Sequence, residues 1–115
     1  MQQPASYDLV MYQGASWDYQ FTWKINNVVV NLTTFTARMQ VRLSYSSTNV
    51  VLSLANGSGI TLGGVLGTIS LGVNAATTAA IPASSYVYDL ELVSTGGEVT
   101  RLLEGKFLVT PEVTR

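Results

Sequence analysis

Two stretches of this chain alternate apolar and polar residues, and their polar faces carry opposite charge. Residues 35–43 set Phe35, Ala37, Met39, Val41 and Leu43 on one face, with Thr36, Arg38, Gln40 and Arg42 on the other. Residues 86–92 set Tyr86, Tyr88, Leu90 and Leu92 on one face and Asp89 and Glu91 opposite. A period of two marks a strand with one buried side. Arginines on one strand and carboxylates on another predict neighbours in an antiparallel sheet. Arg38, Arg42 and Arg101 are thereby assigned to Asp89 and Glu91 as scaffold ion pairs.

The rest of the chain reads as further strands at short spacing. A first strand is expected over 6–12, ended by Gly14. A second is expected over 17–25, with Tyr19, Phe21, Trp23 and Ile25 on one face. Asn26-Asn27 suits a type I′ turn into 28–30, because asparagine tolerates positive φ. Strands over 50–54, 60–62 and 68–71 follow, the last two flanking the Gly-rich tip 63–67. Residues 74–80 form the one helical candidate, with Asn74 as N-cap and Pro82 as the stop. The last strand, 98–109, changes phase near Glu104-Gly105. A bulge at Gly105 aligns Leu102 with Phe107 and Val109 and keeps Arg101 on the charged face. The whole predicts an all-β, antiparallel immunoglobulin-like β-sandwich of about seven to nine strands with one short helical turn. Trp23 is the candidate central aromatic, and Tyr86 or Tyr88 the candidate for a tyrosine corner.

Composition narrows the function. A length of 115 residues fits one domain, 1–115, with short terminal arms. Charged residues are 11% of the chain, against roughly 25% in ordinary soluble proteins. The polar surface therefore comes mainly from Ser, Thr, Asn and Gln. Such a surface is easier to bury against a partner than a charged one; a Thr-rich solvent face is the plainer reading. The net charge is −1 with no Lys/Arg cluster, which argues against nucleic acid. No apolar run approaches the ~20 residues of a membrane helix. The first residues show neither the basic nor the apolar region of a signal peptide, so cytoplasmic synthesis without processing is expected.

Chemistry is thinly represented. The chain has no His and no Cys, which removes most nucleophile–base pairs and the usual zinc ligands. Asp89 and Glu91, about 7 Å apart along a strand face, match a glycosidase pair in spacing. Pairing with arginines is the stronger reading, and an arginine partner should lower a carboxylate pKa, which spoils a general acid. Trp17 and the tyrosines form a sugar-stacking platform only if exposed; their alternation assigns them to the core first. Asn31-Leu32-Thr33 and Asn56-Gly57-Ser58 match glycosylation sequons, a pattern common by chance. No catalytic, metal or cofactor residue is assigned. The candidate contact residues are Val65 and Leu66 on the Gly-flanked tip, which either dock into a partner or fold back over the sandwich. Gln2 and Gln3 in one arm, and Pro111, Glu112, Val113 and Arg115 in the other, are candidate clamps on a neighbour.

One resemblance adds to this. Tyr12-Gln13-Gly14-Ala15-Ser16-Trp17, Phe21-Thr22-Trp23-Lys24 and Asn31-Leu32-Thr33 resemble the start of small β-sandwich virion proteins of tailed bacteriophages. Ala37-Arg38-Met39-Gln40-Val41-Arg42, Tyr86-Val87-Tyr88-Asp89-Leu90-Glu91-Leu92 and the run from Val109 to Arg115 fit the same pattern. The skeleton is also similar to the N-terminal domain of phage baseplate upper proteins and to collar proteins of long-tailed phages. The resemblance implies an immunoglobulin-like fold and a non-enzymatic, multi-copy role in the neck, collar or tail of a virion. Its implied partners are further copies of the chain and other phage structural proteins, in a homo-oligomer without cofactors. Capsid decoration and binding of host-surface carbohydrate are the alternatives. Ala83-Ser84-Ser85 departs from the pattern, where a Gly before the Tyr is usual.

Overall fold

The structure, a computed structural model, describes residues 5–114; the candidate contacts Gln2, Gln3 and Arg115 lie outside them. The strands are β1 (Ala5–Ser6), β2 (Leu9–Tyr12), β3 (Trp17–Thr22), β4 (Lys24–Ile25), β5 (Val28–Val29), β6 (Thr36–Arg42), β7 (Val50–Asn56), β8 (Gly59–Leu62), β9 (Thr68–Val73), β10 (Ser84–Val93) and β11 (Val99–Thr110). A 3-10 turn (Gly64–Leu66) precedes β9, and one short helix, α1 (Ala75–Ala79), follows it.

Backbone pairing runs β1-β11-β10-β6-β7-β8-β9-β3, with β2 also on β11. At β7–β8 the connection narrows to two residue pairs, Ala55 with Gly59 and Asn56 with Ile60. There the sheet curls, and β8-β9-β3 comes to face β2-β11-β10-β6-β7. Trp17, Ile60, Ile69 and Leu71 from the first layer share one buried cluster with Met11, Met39, Leu90 and Phe107 from the second. Trp17 meets Phe107 edge to face across the layers, ring centroids 5.5 Å apart. Between β2 and β3 the Trp17 indole N–H donates to Val10 O at 2.9 Å.

This is an all-β sandwich with one short helical turn, in the strand order of an immunoglobulin-like domain. The tyrosine corner belongs to Tyr86, whose hydroxyl donates to Pro82 O at 2.6 Å. Tyr88 uses its hydroxyl differently, on Tyr7 O at 2.6 Å. Asn26 and Asn27 take φ of 51° and 65°, as a type I′ hairpin requires. Asn74 caps α1 by accepting from Thr77 N at 2.8 Å. Buried Thr78 ties the helix to the β2–β3 turn, accepting from Gly14 N and donating to Ala15 O.

Several expectations are corrected. The strand expected over 6–12 is two strands, β1 and β2, interrupted at Tyr7-Asp8, where the Asp8 carboxylate accepts from Lys106 N at 3.0 Å. The phase break in β11 lies at Leu102, not Gly105: Leu90 opposes Leu103 while Glu91 opposes Arg101. Leu102 is the extra residue and is buried. Gly105 is needed for a different reason, since a Cβ there would lie 2.4 Å from Tyr7 O. The core centre is Phe107, fully buried between Trp17 and Tyr88. Trp23 is buried at the periphery, edge-on to Phe35, and its indole N–H has no hydrogen-bond partner among the described residues. Ile25 and Leu43, both expected on buried faces, are exposed.

Candidate functional site: a charged flank and an apolar end

The charged flank is the outer face of β6, β10 and β11. β10 pairs antiparallel with β6, setting Glu91 opposite Arg38 and Asp89 opposite Gln40. Arg38 Nε lies 2.8 Å from Glu91 Oε1. On the other side the register opposes Asp89 to Glu104, two like charges that repel when directly across a ladder. Arg101 bridges them, with Nε 3.6 Å from Asp89 Oδ2 and Nη1 3.4 Å from Glu104 Oε1. The bulge at Leu102 is what places Arg101 beside both. Among the described residues Arg42 forms no ion pair with a carboxylate: it donates to Ser47 O at 2.7 Å and to Gln40 Oε1 at 2.9 Å. It thereby fixes the 44–47 turn. These are exposed pairs, each worth only ~0.2–1 kcal/mol.

Asp89 corrects the expectation of a lowered pKa. Partial burial and then repulsion from Glu91 hold its carboxyl above the usual range, and Glu104 adds to them against the attraction of Arg101 and Arg42. Asp89 also lines a depression of about 280 Å³ with Gln40, Arg42, Ser44, Tyr45 and Glu91. A raised carboxyl is what a general acid needs, yet this one sits on an open strand face with its neighbours engaged in cross-strand contacts. Among the described residues no three His, Cys, Asp or Glu side chains converge as a metal site does.

The apolar end is built from two projections. The β4–β5 ribbon presents Ile25, Val28 and Val29 to solvent, and the Gly64–Leu66 turn presents Val65 and Leu66, 70% and 67% exposed. Of the two sequence readings of Val65-Leu66, folding back over the sandwich is therefore excluded. Backbone bonds fasten the projections to each other: Trp23 N donates to Gly67 O at 2.9 Å and Leu32 N to Gly64 O at 2.8 Å. Gly67, at φ 67°, lets Val29 pack where a side chain would stand, since a Cβ would lie 2.3 Å from Val29 Cγ1. Sequence reading found Val65 and Leu66 from their glycine flanks. It missed Ile25, Val28 and Val29, whose exposure follows from the ribbon leaving the sheet after Thr22.

The remaining candidates fall elsewhere. Pro111 is exposed and Val113 is 92% exposed. Glu112 is held within the domain, its N–H donating to Gln13 Oε1 at 3.2 Å and its carboxylate lying over Gly14. Gln13 in turn donates to Ile81 O at 2.9 Å. The segment after β11 is thus fastened to its own domain as far as Glu112 and does not begin a free arm at Thr110. Of the sugar-stacking candidates Trp17 is buried, which removes it from any platform, whereas Tyr7, Tyr12 and Tyr45 are exposed. Asn31 of the first sequon accepts from the Thr33 N–H and hydroxyl, so the motif serves as a turn here.

No protein-family model matches the chain, and no curated protein matches it. Among solved structures the chain is similar to CopC from Methylosinus trichosporium OB3b. Identity is 15% and the TM-score 0.41, over 69% of this chain and 66% of that one.

Proposed function

We propose that this chain is a non-enzymatic structural subunit of a tailed-bacteriophage virion, present in many copies in the neck, collar or tail. The observation that carries the reading is the apolar end. Five large aliphatic side chains stand exposed on two projections that the backbone fastens together. Contiguous exposed apolar surface of this kind marks sites of protein association, and the immunoglobulin-like scaffold holds it out on short turns. The sequence resemblance to phage virion β-sandwiches supplies the setting. The charged flank fits a scaffold role, because Arg38 and Arg101 are engaged with Glu91, Asp89 and Glu104 across β6, β10 and β11.

Electron microscopy of particles from the source, labelled with a gold-conjugated antibody to this chain, tests the proposal. Gold at one fixed site on the neck, collar or tail is the expected result. Unlabelled particles, with an antibody shown to recognise the native chain, would refute a virion role at an accessible site. Gold spread over the capsid would favour a decoration protein instead.

A further inference from the structure

Exposed large apolar residues are concentrated at both ends of the sandwich. β11, twelve residues long, spans about 40 Å at ~3.3 Å per residue, close to the longest dimension of 42 Å. The strands therefore run along the long axis. One end holds the β4–β5 ribbon, the Gly64–Leu66 turn and the β10–β11 turn, the last fixed by Thr95 Oγ1 donating to Thr34 O. At the other end β6 and β10 reach the 43–49 loop and α1, and the segment after β11 runs out to Val113. Tyr12, Leu43, Tyr45, Val50 and Val113 are all exposed there, Tyr45 at 78%. Val10 and Leu108, paired with each other, lie close to the loop end, Tyr7 lies between the ends, and the flank between carries the Arg38–Glu91 and Arg101 pairs.

From this distribution we infer that copies of the chain associate head to tail, the ribbon end of one seated on the loop end of the next. Pairing of ribbon end with ribbon end would leave the loop end's apolar groups in water. One heterologous interface, repeated, covers both ends of every interior copy and closes into a ring or extends as a filament. The size is adequate. The extents of 28 by 22 Å bound a flat end at about 600 Å², or about 1,200 Å² over two partners, the lower limit of a standard interface. The inference deepens the multi-copy reading above and rests on it. Its test uses purified chain, so a failure of particle labelling and a failure of self-association are read separately.

Complementation of two broken ends tests it. Variant one carries Val65→Ser and Leu66→Ser; variant two carries Leu43→Ser and Tyr45→Ser. All four positions are exposed, and thermal melts confirm native folding; if either variant melts early, Val28→Ser or Val113→Ser replaces it. In sedimentation velocity over rising concentration, the wild type should grow beyond dimer. Each variant alone should stay monomeric, and an equal mixture should stop at twice the chain mass, because one intact interface remains between the two. A wild type that stays monomeric at several hundred micromolar would overturn the inference. So would a mixture that stays monomeric, or a second variant that dimerises alone through paired ribbon ends.

Discussion

β10 and the β4–β5 ribbon use the same kinds of side chain to opposite ends. In β10, Tyr86, Tyr88, Leu90 and Leu92 are buried in strict alternation, and pairing on both sides fixes every residue from Val87 to Val93. In the ribbon, Ile25, Val28 and Val29 are just as apolar, yet each strand has two residues, one neighbour and no opposing layer. A two-stranded ribbon is marginal alone; this one persists because its base is bonded to Gly67 and packed against it. Strand propensity is alike in the two places. What differs is whether a second layer covers the face.

The largest test of that contrast removes the centre of the covered region. Phe107→Ala leaves a cavity between Trp17 and Tyr88 and should cost about 3–5 kcal/mol, read from the urea midpoint. A loss under about 1 kcal/mol would mean that the core collapses freely, and the contrast would fail. Next come the two tyrosine hydroxyls. Burial holds both pKa values above the ordinary tyrosine range. In the unfolded chain these groups ionise near pH ~10. Above that pH the native state keeps more protons than the unfolded state, so stability falls as pH rises. The urea midpoint should therefore decline from about pH 9 to about pH 11. Tyr86→Phe should cost about 1 kcal/mol at neutral pH and flatten part of the decline; an unchanged slope would remove Tyr86 from the account. The smallest effect is expected at the ribbon, where Ile25→Thr or Val28→Thr should shift stability by less than about 0.5 kcal/mol. A shift above about 1 kcal/mol would show that the ribbon is part of the core.

Local pattern was enough for features whose causes are local. The pairing of β6 with β10 followed from alternation and charge, the type I′ hairpin from Asn26-Asn27, and the helix from Asn74 and its alanines. Tyr86 was one of two candidates for the corner; choosing it needs the position of Pro82 relative to β10. Features set by remote chain were misplaced. Gly105 read as a bulge because its actual constraint, the backbone of Tyr7, lies about a hundred residues away. Ile25 continued the alternation begun at Trp17, and nothing in the residues signals that the opposing layer ends before it. Asp89 looked like an ordinary arginine partner because the register that opposes it to Glu104 depends on where Leu102 bulges. At the candidate site, Val65 and Leu66 were legible, whereas their grouping with the ribbon is a product of topology.

The parallel ladder of β1 and β2 on β11 also governs when the molecule can be finished. Residues leaving the ribosome first find their partners among those leaving late, with Leu9 waiting for Phe107 and Met11 for Val109. During synthesis the early strands therefore carry an unpaired edge, and Met11 lacks the surface that will bury it. Stepwise closure from the first strand onward is ruled out by this connectivity. The domain is completed only once translation has delivered β11, and until then β2 offers an unpaired strand edge.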